Sequence, residues 1–129
     1  MIMAAIVVSI YRVTDESSPE CLSRTVKSAN TFFSRFMGLM GRESLIPYDA
    51  LLIKPCNSIH TGFMKFPIDV IFLDKDNRVT AVRAGLKPWR LFTPGNKSCS
   101  VIEFSSGFIQ QFQIKPGDQL VIEENGEDK

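Results

Sequence analysis

Short apolar segments bounded by turn-forming residues recur along the chain, and this pattern predicts many strands and few helices. Residues 6–13 are rich in Ile and Val and are followed by a turn cluster at 15–19. A second strand is expected at 21–28, so these two segments form a hairpin. Further strands are expected at 50–54, 100–104 and 119–123, the last one after a turn at 115–118.

The middle of the chain carries the clearest hairpin, formed by residues 69–73 and 78–83. Its turn ends in Asn77, a residue type that tolerates a left-handed backbone conformation. Residues 58–64 also alternate as a strand does, and residues 86–97 form an irregular loop that contains the only Trp. The alternation in 58–64 places four residues on one side: Ser58, His60, Gly62 and Met64.

Two short helices interrupt the strand pattern. The first is expected at 31–40, with its Phe and Met side chains on one broad face and Asn30 or Thr31 as the N-cap. The second follows Ser105 or Ser106 as N-cap and has apolar residues at helical spacing. We therefore predict one α+β domain over residues 1–129, with a mainly antiparallel, barrel-like or strongly curved sheet, two short helices and a frayed acidic tail at 124–129.

Composition and charge exclude several classes of protein. The chain has 129 residues, 44% hydrophobic and 22% charged, which is typical of a globular domain and excludes a largely disordered chain. The net charge is +1, and no nucleic-acid-binding motif is present. Between Asp76 and Glu103 there is no acidic residue, although five basic residues lie there. This stretch is either a surface that attracts an anionic partner or simply a solvated face.

Cysteine usage and the N-terminal segment predict a cytoplasmic protein without membrane insertion. Cys21, Cys56 and Cys99 are sparse and odd in number, which argues against a secreted disulfide framework. His60 is the only histidine, and no spacing typical of a zinc site occurs, so we expect neither a metal nor a cofactor. The apolar N-terminus has no basic region before it and is too short to span a bilayer as a helix.

The segment 55–69 holds the densest set of chemically active side chains. Cys56, His60 and Asp69 there suggest a thiol nucleophile with its base and acid. In one extended strand, however, Cys56 and His60 are about 13 Å apart at about 3.3 Å per residue, whereas proton transfer needs about 3 Å. A structural alternative is that Cys56 is buried and that Asp69 accepts hydrogen bonds from backbone N–H groups to hold a loop.

A third interpretation of the same segment is the floor of a ligand site. His60 and Met64 lie on either side of Gly62, which leaves a notch beside an imidazole that can donate or accept a hydrogen bond. Trp89, with Lys87 and Arg90 close by, suits stacking and charge recognition of an anionic or peptide partner. The alternative for Trp89 is that it holds its own loop against the core.

Four motifs resemble those of the bacterial and archaeal family called "domain of unknown function 192". They are RFMGLMG at 35–41, SIHTGFMKFPIDVIFLD at 58–74, LKPWR at 86–90 and PGD at 116–118. The resemblance covers about residues 6–122 and implies a small β-rich domain of unassigned biochemical role. It also implies an accessory role, because similar short cytosolic members occur beside pilus and secretion components. Gly62 is a departure, since related sequences have an aromatic residue there.

Together these observations favour a non-enzymatic binding or accessory module with a small recognition cleft. We expect His60 to be the polar anchor and Arg35 or Lys65 to contact an anion or a protein partner. No catalytic residue is assigned. A thiol-dependent hydrolase or transferase that uses Cys56 and His60 is the first alternative, and a structural or assembly accessory is the second. The predicted ligand-binding residues are Arg35, His60, Met64, Lys65, Asp69 and Trp89.

Overall fold

The computed structural model describes residues 6–15, 18–29, 49–54, 59–60, 66–87, 91–92 and 98–125. The strands in these ranges are β1 Ile6–Arg12, β2 Glu20–Ala29, β3 Ala50–Ile53, β4 Ile59–His60, β5 Ile68–Leu73, β6 Val79–Leu86, β7 Leu91–Phe92, β8 Ser100–Ser105 and β9 Leu120–Glu124. The helix described there, α1, is Phe108–Phe112. Within these ranges no helix has the length and apolar run that a membrane crossing requires.

Seven strands form one mixed sheet in the order β6-β5-β8-β3-β2-β1-β9, and β4 pairs with β7 as a separate ribbon. Neighbours in the large sheet are antiparallel except β2 and β3, which are parallel. The two edge strands meet where each begins: the Val79 N–H donates to the Asp118 carbonyl at 2.8 Å, and Arg78 bridges Gln119. The sheet is therefore strongly curled into a half-barrel.

Both predicted hairpins are confirmed. β1 pairs with β2, and β5 pairs with β6, each antiparallel. Asn77 has φ 64° and is left-handed, as its position in the turn predicts. The Asp74 side chain stabilises this turn because its Oδ1 accepts hydrogen bonds from the backbone N–H groups of Asp76 and Arg78, at 2.8 and 2.9 Å.

Two details differ from the sequence prediction, and a third prediction falls on residues that the structure does not describe. The N-cap of α1 is Gly107 rather than Ser105 or Ser106, because a carboxylate from another strand satisfies the first helical N–H groups. The segment 86–97 is not wholly irregular, since it supplies the end of β6 and the strand β7. The helix expected at 31–40 lies outside the described residues.

Apolar side chains pack on both faces of the sheet. One cluster, the first-face cluster, contains residues from every strand of the large sheet together with Ile109 of α1 and Ile114. The other, the second-face cluster, is built on β3, β5 and β8 and consists of Leu51, Ile53, Ile68, Val70, Phe72 and Val101, with Phe66, Ala81 and Leu86 packed against it. Because β5 is buried along its whole length on both faces, the centre of the sheet is a protected environment on either side.

Arg12 joins three parts of the half-barrel at the end where β1 finishes. Its guanidinium donates through Nε to Glu20 at 2.9 Å and through a terminal nitrogen to Asp118 at 3.2 Å, and it reaches the Gln113 carbonyl at 3.4 Å. The Arg12 side chain is 16% exposed. This largely buried group therefore links the start of β2, the turn before β9 and the end of α1.

We predict that Arg12→Ala lowers the free energy of unfolding by about 1–3 kcal/mol, because charged hydrogen bonds are lost and Asp118 keeps its charge without its cation. Urea unfolding of both proteins measures the difference. The matched control is Arg24→Ala on β2, where an exposed guanidinium contacts Tyr11, and we expect a cost below about 1 kcal/mol. Equal costs for the two variants would contradict the bridging role of Arg12.

Candidate functional site

Asp69 lies in the second position of β5 and is completely buried. Its Oδ1 accepts a hydrogen bond from the Gly85 N–H at 2.8 Å. Its Oδ2 accepts two more, from the N–H groups of Gly107 at 3.1 Å and of Ile109 at 2.8 Å. One carboxylate therefore holds the end of β6 and the start of α1 together, and it supplies the cap that α1 does not obtain from its own N-cap residue.

These contacts confirm the structural alternative for Asp69, which was that it accepts backbone N–H groups. They differ from the predicted role of the residue as a solvent-facing ligand contact, because both carboxylate oxygens are occupied by the protein itself.

The β4–β7 ribbon brings together two segments that the sequence analysis singled out separately. The backbone of His60 lies opposite Leu91, and that of Ile59 lies opposite Phe92. His60 is thus adjacent to the strand that begins two residues after Trp89. The remaining predicted site residues, together with Cys56, lie outside the described residues: Arg35, Met64, Lys65 and Trp89.

The strand order also determines how this ribbon is connected to the large sheet. β4 lies in the connection from β3 to β5, and β7 lies in the connection from β6 to β8. β3 and β5 are parallel to each other with β8 between them, and β6 and β8 are parallel to each other with β5 between them. Each connection therefore has to cross a face of the sheet. Phe66 lies near the end of the first connection, and Leu86 is the last residue of β6, before the second connection; both pack against the second-face cluster.

The same face carries a buried carboxyl that the sequence analysis missed. Glu103 lies in the middle of β8, two residues after Val101, and so points to the second face. Its cross-strand neighbours are Leu51 on β3 and Val70 on β5, both apolar. Glu103 is only 6% exposed, although an isolated charge in such surroundings is very costly.

Burial raises the pKa of the Glu103 carboxyl to about 8, and burial is its only cause. Within the described part of the chain, no group donates a hydrogen bond to this carboxyl and no charge lies close enough to alter its pKa. The group is therefore mostly protonated and neutral at pH 7. Buried polar groups almost always have a partner, so an unpartnered one is characteristic of functional sites.

A single cross-strand row places Glu103 between two basic residues. Lys27 on β2 pairs with Leu51, which pairs with Glu103; on the other side Glu103 pairs with Val70, which pairs with Arg83 on β6. Strands lie about 4.8 Å apart, so each basic Cα is roughly 10 Å from that of Glu103. The row thus has a neutral acid at its centre and a cation at each end.

A sequence signal for Glu103 does exist. Glu103 is an acidic residue within a predicted strand that is otherwise largely apolar, and the neighbouring Val101 and Phe104 predict that this strand is buried. Whether such a carboxyl has a hydrogen-bonding or ionic partner depends on the strands beside it, and the sequence does not show which strands these are. In the sequence alone, Glu103 marks only the end of the acid-free stretch that begins after Asp76.

Other reactive groups in the described ranges do not form a second site. Cys21 and Cys99 are free thiols, the first partly buried and the second exposed. Among the same residues no group of three His, Cys, Asp or Glu side chains is arranged to hold a metal ion.

Comparison with known proteins shows related sequences and related structures. Residues 13–122 match the profile of the family DUF192, described as "Uncharacterized ACR". A UPF0127 protein of Pyrococcus furiosus is 34% identical over 100 residues, which is 74% of this chain and 84% of that protein. A UPF0127 protein of Thermococcus kodakarensis is 33% identical over 113 residues, which is 84% of this chain and 71% of that protein.

Two crystal structures share the fold. A protein of unknown function from Novosphingobium aromaticivorans superposes with a TM-score of 0.74 at 23% identity, over 89% of this chain and 84% of its own. A putative transcription regulator from Sinorhizobium meliloti superposes with a TM-score of 0.78 at 20% identity, over 98% of this chain and 100% of its own. At these identities the likeness extends to the fold alone.

Proposed function

Because this chain belongs to the DUF192 family, whose description assigns no biochemical role, we propose a function from its own geometry: a non-enzymatic binding or accessory module of the cytoplasm. The recognition site is the β4–β7 ribbon and the residues beside it. The observation that supports this proposal is the pairing of His60 with Leu91, which joins the His60 segment to the Trp89 segment. Free thiols at Cys21 and Cys99 suit a reducing compartment.

Within this proposal His60 is the polar anchor, and Met64 and Trp89 supply apolar contacts. Arg35 or Lys65 pairs with negative charge on an anionic small molecule or on a protein partner. Asp69 contributes indirectly, since its three hydrogen bonds hold the end of β6, from which the β7 segment leaves. A site of this kind needs fixed geometry but no nucleophile.

The proposal predicts that His60→Ala and Trp89→Ala weaken ligand binding without unfolding the protein. Thermal-shift screening of the wild type against a set of anionic metabolite analogues identifies a binder, and calorimetry measures its affinity. We expect a loss of about tenfold or more for each variant, equivalent to about 1.4 kcal/mol per removed contact. Lys75→Ala is the control, because Lys75 is exposed in the β5–β6 turn. Variants with wild-type affinity would overturn the proposal.

The same samples distinguish the two alternative functions. In a thiol-dependent hydrolase or transferase, a low-pKa Cys56 reacts with iodoacetamide at pH 7 much faster than Cys21 and Cys99. In an assembly accessory of a pilus or secretion system, light scattering shows a stable oligomer or a co-purifying protein, and small molecules leave the melting temperature unchanged. The binding module predicts slow alkylation of Cys56 and a ligand-dependent melting temperature.

A further inference from the structure

Glu103 requires an explanation that the architecture of the sheet does not supply. A glutamate on an apolar strand is less favourable than a leucine unless its polar atoms are satisfied, and the described residues offer it no donor. A side chain that formed a structural hydrogen bond with Glu103 would be expected at one of its two cross-strand positions. These positions hold Leu51 and Val70, which are apolar. Within the described part of the chain the carboxyl therefore has no partner, and a bound ligand would supply one.

The position of Glu103 matches the proposed recognition site. Phe66 and Leu86 pack on the second face, and they are the residues through which the chain enters and leaves the segments that hold the β4–β7 ribbon. The carboxyl of Glu103 points to that same face from the central region of the sheet. A ligand held between the ribbon and the second face of the sheet would therefore contact Glu103. The helix α1 lies on the other side of the sheet, because its Ile109 packs on the first face.

We propose that Glu103 is a ligand-binding residue of the ribbon site, where its protonated carboxyl donates a hydrogen bond to an oxygen of a carboxylate or phosphate ligand. This inference rests on the proposed function. A neutral carboxylic acid in an apolar site is a strong donor because the alternative, a buried carboxylate, is costly. An anion with a carboxylate or phosphate oxygen supplies the acceptor that this donor requires.

The charge around the site supports the choice of ligand class. The elements packed beside Glu103 on this face contribute Leu51, Val70 and Phe72, and the charged groups in its cross-strand row are Lys27 and Arg83. No acidic residue other than Glu103 itself lies between positions 77 and 118. Because a cationic ligand would have to displace the proton of Glu103, an anion with an acceptor oxygen is the better match.

The pH dependence of binding tests the donor proton of Glu103. Burial raises the pKa of Glu103 to about 8, so its donor proton is largely present at pH 7.5 and absent at pH 9.5. The measurement is made in a Cys56→Ser background as well as in the wild type.

The test measures the melting temperature of the full chain with sodium acetate, succinate and inorganic phosphate, against sodium chloride of equal ionic strength. We expect at least one of these anions to raise the melting temperature at pH 7.5 and to bind at least tenfold more weakly at pH 9.5. Glu103→Leu is expected to remove this binding at both pH values. Glu103→Gln retains an amide donor, so binding remains but no longer depends on pH. Glu123→Gln, an exposed position on β9, behaves as the wild type.

Two results would overturn the inference: none of the three anions exceeds chloride in the wild type, or Glu103→Leu binds them as the wild type does. His60→Ala separates this failure from failure of the proposed function. If His60→Ala weakens anion binding and Glu103→Leu does not, the ribbon site stands and only the role of Glu103 fails. If neither variant changes binding, the proposed function fails with it. Circular dichroism of each variant confirms that the fold is retained.

Discussion

The stability of the wild type relative to Glu103→Leu is expected to fall as the pH rises from about 4.5 to about 8, because Glu103 loses its contribution over this range. The pKa of Glu103 is near its ordinary value of 4.5 in the unfolded chain and about 8 in the folded protein, because burial disfavours the carboxylate. The unfolded chain therefore loses its proton first. The stabilisation is fully present below pH 4.5 and is lost as the pH rises through 8.

The expected loss is several kcal/mol, at most on the order of 5 kcal/mol, since each pKa unit corresponds to about 1.4 kcal/mol. Urea unfolding between pH 5 and pH 9 measures it for the wild type and for Glu103→Leu. Glu123→Gln is the control and should keep the slope of the wild type. Parallel stability curves for the wild type and Glu103→Leu would contradict the account.

Asp69→Ala is expected to lower the free energy of unfolding by about 3–6 kcal/mol, because three backbone N–H groups lose their acceptor in a buried position. Domains of this size have about 5–15 kcal/mol of stability, so the variant would be close to unfolding. Asp69→Asn is expected to lose less, since its amide oxygen still accepts from Gly107 and Ile109 while its amide nitrogen faces the N–H of Gly85.

Urea unfolding of the Asp69 variants gives the energies, and hydrogen exchange identifies the affected amides. Exchange in Asp69→Asn should speed up most at Gly85, where two donors meet. The matched control is Asp76→Ala in the β5–β6 turn, an exposed carboxylate for which we expect a change within about 0.5 kcal/mol. A cost for Asp69→Ala no larger than for Asp76→Ala would show that these hydrogen bonds do not stabilise the fold.

Local patterns were enough to predict much of the sheet. The turn at Asn77 and the hairpin around it follow from alternation and from one residue that accepts a positive φ, and both are observed. The curvature of the sheet follows from many short strands in a small chain. The parallel pairing of β2 with β3, in contrast, depends on the path of the chain between them, and no local pattern carries that information.

The candidate site shows the same division between local and long-range information. Asp69 stands out in the sequence because segment 55–69 gathers a thiol, an imidazole and a carboxylate, but its partners, Gly85, Gly107 and Ile109, are 16, 38 and 40 residues away in sequence. The capping of α1 could not be predicted for this reason, since local rules consider only the residue that precedes the helix. Glu103 was missed because its isolation depends on Leu51 and Val70 lying beside it.

The central claim is that the second face of the sheet holds an acid that is buried, has no partner among the residues that the structure describes and is neutral at pH 7. A carbon-13 NMR titration of the side-chain carboxyls in the intact protein, with Glu103 assigned through Glu103→Gln, tests this claim most directly. The account predicts a Glu103 midpoint near pH 8, well separated from those of exposed glutamates. A midpoint near 4.5 would mean that Glu103 is solvated or paired with a cation, and it would contradict both the site and the pH-dependent stability.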